Sequence, residues 1–406
     1  MQETLGVAIL LLSFTVIMAG IKLNVHLSIS ILLGALLLYG AYAFSVQEIA
    51  VSIGKALTQW RNIRLIALVF LVIFMSRLMK VAGTLERISE SLKKAFSDPR
   101  ISYGTIPAVI GLLPMPAGAY ISAQMVKKSA DELGVSAEDR TFANYWFRHV
   151  WEFSWPFYQG IIFTSAIVGI AVRSLVISMF PITLIAIAVG YIYAIKPRER
   201  PSSKSRDIHG LMEFLEVLWP VWLVIFLSIV LGIDLLYGLI ITDILIIIAY
   251  RMDGKSLYEA LKESANYSIF LILISVIIFN TALTDTGAAS TLLSSLRSYG
   301  IPEIIVVIVF PMIVGMMSGL TVAFVGISFP MLLPALAPGG MTSISMVALA
   351  YLSGFIGVLF SPLHLCLIYS SEYFKADLSK VFKKLTAPLI TLFTFGFIYS
   401  MSLGMI

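Results

Sequence analysis

The residues best suited to chemistry in this sequence lie between positions 144 and 159, in the run NYWFRHVWEFSWPFYQ. A helix would place five of these residues on one face, namely Asn144, Arg148, Glu152, Trp155 and Gln159. Arg148 stands four residues before Glu152, and His149 stands three before it. Two interpretations of this group stay open. Either Arg148 holds an anionic ligand while Glu152 or His149 accepts a proton, or Arg148 and Glu152 form a buried ion pair that braces the helix.

Polar residues also interrupt other apolar runs, where ionisable side chains are costly and are typical of functional sites. Asp243 lies in the middle of such a run and could bind a cation or a proton. His364 follows the proline of the segment FSP at 360–362 and is a candidate for the substrate site. The single cysteine, Cys366, predicts neither a disulfide framework nor a cysteine-based metal site.

The elements that must position these residues are predicted from composition. Hydrophobic residues make up 59% of the chain and charged residues 13%, whereas soluble domains have about 25% charged residues. Such a chain cannot cover a water-facing surface, but it can face lipid in runs of about 20 residues. Apolar runs predict ten spans, near 4–20, 27–44, 64–81, 141–170, 174–195, 214–231, 235–250, 266–284, 343–370 and 386–405.

Two further apolar runs, 104–126 and 302–336, are rich in Gly and Pro and are predicted to be re-entrant hairpins. With ten crossings and two hairpins, most of the 28 lysines and arginines fall on the same side as the polar linker 196–210. Because positive charge accumulates in cytoplasmic loops, we expect this linker in the cytoplasm and both termini outside. The predicted location is the cell membrane, and the net charge of +5 does not indicate a nucleic-acid partner.

The two halves of the chain repeat one another in sequence. Residues 1–195 form the first predicted repeat and residues 211–406 the second. At one constant offset Gly83, Gly111 and Ala119 match Gly287, Gly315 and Ala323, and at a slightly larger one Tyr145 and Pro156 match Tyr351 and Pro362. Five crossings in each half make the second copy inverted. The predicted fold is an all-α polytopic membrane protein of two inverted repeats, each of about five spans plus one re-entrant hairpin.

The matched positions are those that break helices. Pro and Gly at membrane depth are tolerated where the backbone lines a cavity, and the free helix ends there favour ions. We expect hairpin tips at 114–118 and 318–321, and broken helices at 154–156 and 360–362. The predicted substrate-binding residues are Pro114, Met115, Pro116, Ala117, Gly118, Ser122, Arg148, His149, Trp155, Ser318, Gly319, Thr321, Ser361 and His364. The predicted ion- or proton-coupling residues are Glu152, Asp243, Ser154, Pro156 and Pro362.

At these motifs the chain resembles the ion-transporter superfamily of secondary carriers, which includes gluconate, C4-dicarboxylate and citrate carriers. Within that superfamily it looks like an uncharacterised integral-membrane family of archaea and bacteria. The resemblance rests on LLPMPAGA at 112–119, WEFSWPF at 151–157, SGLTVAF at 318–324 and FSPLHL at 360–365. It implies a homodimer with a fixed scaffold and a moving, elevator-type transport region that carries the hairpins. Pro114 and Ser318 stand near the places of the asparagines that hold sodium in dicarboxylate carriers, which makes proton coupling more plausible than sodium coupling.

The predicted function is therefore a secondary active transporter of a small organic anion, a carboxylate, coupled to H⁺ or Na⁺. The alternative is a cation/proton antiporter that uses Glu152 and Asp243. We expect no enzyme, since H-E-x-x-H and G-x-S-x-G are missing. We also expect no cofactor and no metal centre, with Na⁺ at the hairpin tips as the one alternative. The predicted partners are the anionic substrate, membrane lipid and a second copy of the chain.

Overall fold

The computed structural model describes residues 2–95, 98–112, 118–194 and 208–404, and every regular element in these ranges is helical. Helices are the expected solution, because a segment in lipid must satisfy its own backbone hydrogen bonds. The predicted all-α class is confirmed. The first predicted hairpin tip, with Pro114, Met115, Pro116 and Ala117, lies outside the described residues, and so does most of the predicted linker 196–210.

The helices before residue 195 are α1 (Gln2–Lys22), α2 (Leu27–Ala41), α3 (Val46–Thr58), α4 (Trp60–Val81), α5 (Thr84–Ala95), α6 (Pro99–Gly111), α7 (Gly118–Glu132), α8 (Ala137–His149), α9 (Gln159–Val168) and α10 (Val172–Ala194). A 3₁₀ turn, Val150–Phe153, extends α8.

The helices after residue 207 are α11 (Ile208–Val217), α12 (Trp219–Ile225), α13 (Leu235–Ala249), α14 (Gly254–Ser264), α15 (Tyr267–Thr286), α16 (Ala288–Ser298), α17 (Glu303–Ser318), α18 (Thr321–Leu336), α19 (Ile344–Leu359), α20 (Leu365–Phe374) and α21 (Leu378–Ser402). A π turn, Phe226–Val230, extends α12, and a 3₁₀ turn, Pro338–Gly340, follows α18.

Five helices of the described chain are long and apolar enough to cross a membrane, namely Leu5–Lys22, Trp60–Val81, Val172–Ala194, Tyr267–Thr286 and Leu378–Ser402. The pair His209–Val217 and Trp219–Val230, bent by 61°, makes a sixth if it is counted as one span. Six shorter apolar helices accompany them, among them α9, α17, α18 and α19. The protein is therefore a multi-pass membrane protein, and several of its apolar segments are too short to cross alone.

The helices form two neighbourhoods. In the first, α2 packs between α1 and α15, and α4 packs against α13 and α14. Arg77 and Lys80 of α4 reach the Glu263 carboxylate of α14 at 2.9 and 3.0 Å. In the second, α6, α7, α8 and α20 pack together, and α17 packs against α18 and α19. The candidate site lies in the second neighbourhood.

Glycines in the left-handed conformation connect two of the long helices to the shorter helices that follow them. Gly83 (φ 71°) separates α4 from α5, and Gly287 (φ 64°) separates α15 from α16. Glycine adopts this conformation without steric cost, so it ends one helix and turns the chain into the next. Gly83 and Gly287 are one of the residue pairs that match between the two halves of the sequence. The segments 85–96 and 289–298 occupy matching places in the two halves and coincide with α5 and α16 within a residue or two.

Helix α3 had no counterpart among the predicted spans. It begins at a capping box, in which the Ser45 hydroxyl and the Glu48 carboxylate each cap the other's backbone N–H. Ser-Val-Gln-Glu at 45–48 is the sequence pattern of this motif. The helix could therefore have been predicted from these four residues alone.

Candidate functional site

The first broken element lies between α8 and α9. The α-helix ends at His149, the 3₁₀ turn follows, and regular structure resumes at Gln159. Pro156 lies in this gap, where its missing N–H and its ring are incompatible with a continuous helix. Side-chain hydrogen bonds hold the interrupted segment in place. Ser154 Oγ lies 2.7 Å from Thr183 Oγ1, and Trp155 Nε1 donates to the Leu112 carbonyl at 2.9 Å.

This geometry corrects one expectation. The sequence predicted that a single helical face continues from Asn144 through Trp155 to Gln159. The α-helix stops at His149 because the chain tightens and then unwinds ahead of Pro156. Glu152 is therefore directed by a 3₁₀ turn and not by the α-helical register.

The second broken element lies between α19 and α20. Regular helix ends at Leu359 and resumes at Leu365, and Pro362 lies in the gap. The Ser361 hydroxyl accepts a hydrogen bond from the Leu363 N–H at 3.1 Å. Gly319 lies at the tip between α17 and α18, close to the second break. A Cβ on Gly319 would be 2.9 Å from the backbone nitrogen of His364. The second hairpin tip therefore sits directly on the second break.

The two breaks are joined by a reciprocal pair of tyrosines. Tyr145 of α8 donates to the Leu359 carbonyl at 3.1 Å, just before the second break. Tyr351 of α19 donates to the Glu152 carbonyl at 2.9 Å, just before the first break. Both rings are fully buried. Each hydroxyl thus satisfies a carbonyl that the neighbouring break leaves without a helical partner.

Glycines allow the same close approach in both halves. A Cβ on Gly111 of α6 would overlap the Arg148 carbonyl oxygen of α8. A Cβ on Gly315 of α17 would overlap the Gly354 carbonyl oxygen of α19. Each broken helix is therefore in backbone contact with the first helix of a predicted hairpin. Gly111 and Gly315, which allow this contact, are another pair that matches between the two halves of the sequence.

Charged residues meet at the junction of these elements. The exposed fractions are 5% for Arg148, 1% for His149, 7% for Glu152 and 8% for His364. Glu152 Oε1 lies 3.7 Å from His149 Nε2, and Glu152 Oε2 accepts from the Thr321 hydroxyl at 3.1 Å. No ion pair between Arg148 and Glu152, one of the two interpretations left open, occurs among the described residues. Glu152 instead contacts the His149 ring, which forms an ion pair with it only when protonated. The 3₁₀ turn explains this, because it moves Glu152 away from the helical position above Arg148.

Arg148 is directed towards the first hairpin. A Cβ on Gly118, the first residue of α7, would lie 2.5 Å from Arg148 Nη2, and Arg148 Nη1 lies 3.5 Å from Cys366 Sγ. The guanidinium thus lies between the amino end of one hairpin helix and the first turn of α20. A helix amino end carries partial positive charge, so this corner of the site is suited to an anion.

The two histidines contact each other across the breaks. His149 Nε2 and His364 Nε2 lie 3.1 Å apart, and His149 Nδ1 lies 2.6 Å from the Tyr145 carbonyl oxygen. The hydroxyl of Tyr158 donates to the Gly111 carbonyl at 2.5 Å and closes the first break against α6. The structure therefore brings Arg148, His149, Glu152, Thr321 and His364 into one cluster.

Other predicted site residues have separate surroundings. Ser122 donates to the Ala119 carbonyl and Ser318 to the Val314 carbonyl, each within its own helix. Asp243 is buried in α13, which packs against α4 and α12 and not against the helices that carry the cluster. Among the residues that the structure describes, neither of its carboxylate oxygens has a hydrogen-bond partner. Pro362 is exposed within its break.

Three site residues were missed by sequence reasoning. Cys366 lies two residues beyond His364 and contacts Arg148. Tyr145 and Tyr351 were recognised as matched positions but not as partners of the breaks. The signal for them was the match itself, since a buried tyrosine kept in both copies requires a hydrogen-bond acceptor in both.

The fold and the site together define a multi-pass α-helical membrane protein with paired helix breaks. The chain belongs to the family described as "Protein of unknown function (DUF401)", whose model matches residues 4–402. No curated protein matches the sequence.

Among solved structures, the chain is similar to the YdaH transporter of Alcanivorax borkumensis, whose crystal structure was reported to reveal an unusual topology. The TM-score is 0.63 at 13% identity, and the match covers 89% of each chain. At this identity the likeness shows a shared fold. Membership of the ion-transporter superfamily stays a prediction.

Proposed function

We propose that this protein is a secondary active transporter of a small organic anion, a carboxylate, and that it is not an enzyme. The observation that carries the proposal is the position of Arg148, a buried guanidinium beside the amino end of α7. A charge inside a membrane protein is costly unless it is paired or used. Arginine also matches the planar, two-oxygen geometry of a carboxylate.

The coupling ion we propose is a proton, with Na⁺ as the alternative. Glu152 is buried and contacts His149 and Thr321, so the same small space holds a carboxylate, an imidazole and a hydroxyl. The Thr321 hydroxyl is at hydrogen-bond distance from Glu152 and the His149 ring is 3.7 Å away, so a proton bound by Glu152 would lie next to both groups. Proton transfer to Glu152 or His149 would change the charge beside Arg148, which links proton occupancy to anion binding.

Alternating access of the elevator type fits the arrangement of contacts. The two breaks and the α17–α18 tip are tied together by Tyr145, Tyr351 and Gly319. Such a cluster would move as one unit against the remaining helices. The two-repeat organisation, a homodimer, the cell-membrane location, the cytoplasmic linker and the outward termini are part of the same proposal.

A second candidate is a cation/proton antiporter. The observation that favours it is Asp243, whose buried carboxylate oxygens lack hydrogen-bond partners in the described chain. A carboxylate in this state binds a proton or a cation, because an unpaired buried charge is unfavourable. On this reading Glu152 and Asp243 would carry the exchanged ions at separate places.

Thermal unfolding of the purified protein with a panel of organic acids, at several pH values with and without Na⁺, tests the proposal. A transported carboxylate should stabilise the wild-type protein, and the stabilisation should vanish in Arg148→Gln. The matched control is Arg140→Gln on the same helix, where Arg140 pairs with Asp131 outside the cluster. Carboxylate stabilisation that persists in Arg148→Gln would overturn the carboxylate site. Stabilisation by Na⁺ alone, lost in Asp243→Asn, would favour the antiporter.

A further inference from the structure

The side chains of His149, His364 and Cys366 form a compact group of metal-ligand types. One ligand atom from each lies within 4.8 Å of the others. His149 is the last residue of α8, His364 is the residue before α20, and Cys366 is in the first turn of α20. Sequence spacing did not predict this group, because 215 positions separate the two histidines.

His149 is already oriented as a ligand. Its Nδ1 lies 2.6 Å from the Tyr145 carbonyl oxygen, which can only accept, so Nδ1 carries the proton. In the neutral ring the lone pair is then on Nε2, directed at His364. A ring N–H donated to a backbone carbonyl is the outer-shell contact that fixes metal-binding histidines.

His364 provides an independent observation. Its ring is buried and interacts with the backbone of Val358, at the carboxyl end of α19. The Nε2 atoms of the two rings are 3.1 Å apart. Two imidazole nitrogens bound at about 2.0–2.1 Å to one tetrahedral zinc ion must lie roughly 3.3 Å apart. The rings therefore already stand near the separation that a shared ion requires.

We propose that His149, His364 and Cys366 bind a transition-metal ion of the Zn²⁺ class, with Glu152 or water as the fourth ligand. Glu152 Oε1 and His364 Nε2 both lie near His149 Nε2, at 3.7 and 3.1 Å. Two imidazoles and a thiolate select Zn²⁺ and related ions over Mg²⁺ and Ca²⁺, which prefer oxygen ligands. The ion would join the end of α8 to the start of α20 and so hold the two breaks together. The inference does not depend on the proposed transport function.

Cobalt substitution tests the site directly. The chain has one cysteine and four histidines, so a thiolate-to-cobalt charge-transfer band in untagged, purified protein can come only from Cys366. We expect one Co²⁺ per chain with this band, its displacement by Zn²⁺, and no effect of Mg²⁺. The band should be lost in Cys366→Ser, and the affinity for Co²⁺ should fall at least about tenfold in His364→Gln.

The matched control is His209→Gln, because His209 is an exposed histidine of α11. This variant should bind Co²⁺ as the wild type does. A wild-type cobalt complex without the thiolate band would overturn the proposal, and that result needs no variant to fold. Equal Co²⁺ affinity in His364→Gln and wild type would overturn it as well. Because neither measurement involves transport, failure of the metal site and failure of the transport proposal are distinguishable.

Discussion

The two helix breaks share a frame but differ in chemistry. In the register that matches Tyr145 with Tyr351, Arg148 corresponds to Gly354 and Glu152 to Val358. The first break therefore carries charge where the second carries small or apolar side chains. A Cβ on Gly354 would overlap the Phe324 ring of α18, so the second break closes tightly on its hairpin. The contrast shows that two similar frames can carry different chemistry at matched positions.

The largest expected difference between the breaks is in transport. Glu152→Gln should lower uptake into proteoliposomes roughly 10- to 100-fold, since a hydrogen bond to a charged group contributes about 1.5–3 kcal/mol. Ser361→Ala in the second break should lower uptake less than tenfold. Initial uptake rates of both variants, at equal amounts of reconstituted protein, measure the difference. Equal losses would show that the second break also binds.

The shared frame should respond equally in both halves. Gly111→Ala and Gly315→Ala each place a methyl group against a backbone carbonyl, and we expect each to destabilise the protein by about 1–3 kcal/mol. Gly54→Ala is the control, because nothing lies within 4 Å of a Cβ there. Thermal unfolding in detergent measures all three. A strong effect in one half alone would contradict the equivalence of the two frames.

The reciprocal tyrosines allow a finer comparison. Tyr145→Phe and Tyr351→Phe each remove one hydroxyl from a buried carbonyl, and each should cost about 1 kcal/mol. Tyr237→Phe, at an exposed tyrosine of α13, should have no effect. Unfolding midpoints report the size of each loss. If Tyr351→Phe also lowers uptake more than Tyr145→Phe, the contact to Glu152 positions the charged break specifically.

The smallest expected effect on stability is at the contact between α4 and α14, which lies away from the two helix breaks. The hydrogen bond from Lys80, with the charges of Lys80 and Arg77, holds the pKa of Glu263 below its ordinary value of 4.5. A lowered carboxyl pKa stabilises the fold at neutral pH, and this contribution is lost as pH falls through the folded-state pKa. Glu263→Gln should therefore cost at most about 1 kcal/mol at pH 7, since the pair is partly exposed.

The difference between Glu263→Gln and wild type should shrink below about pH 4. Glu259→Gln, at an exposed position on the same helix, is the control. A difference that stays constant with pH would mean that Glu263 acts through packing and not through its charge.

Much of the architecture followed from local patterns. Apolar runs predicted the membrane class, and Pro156 and Pro362 marked the segments where helix is interrupted, because proline lacks the backbone N–H and crowds the preceding turn. Proline alone does not decide a break, since Pro107, Pro181 and Pro311 lie inside helices. The end of the α-helix at His149 did not follow from the sequence, since helical periodicity continues through Asn144, Arg148 and Glu152. The tightening into a 3₁₀ turn is set by contacts with α6 and α10.

The sequence by itself determined that this is a polytopic membrane protein, that its helices are interrupted near Pro156 and Pro362, and that Arg148, His149 and Glu152 lie close together along the chain. These properties depend on composition, on backbone chemistry and on near neighbours along the chain. Only the tertiary structure decided that Glu152 meets Thr321, and that His364 and Cys366 meet His149. Those contacts join residues from separate halves of the chain. The periodicity of one half does not specify which side chains of the other half it will meet.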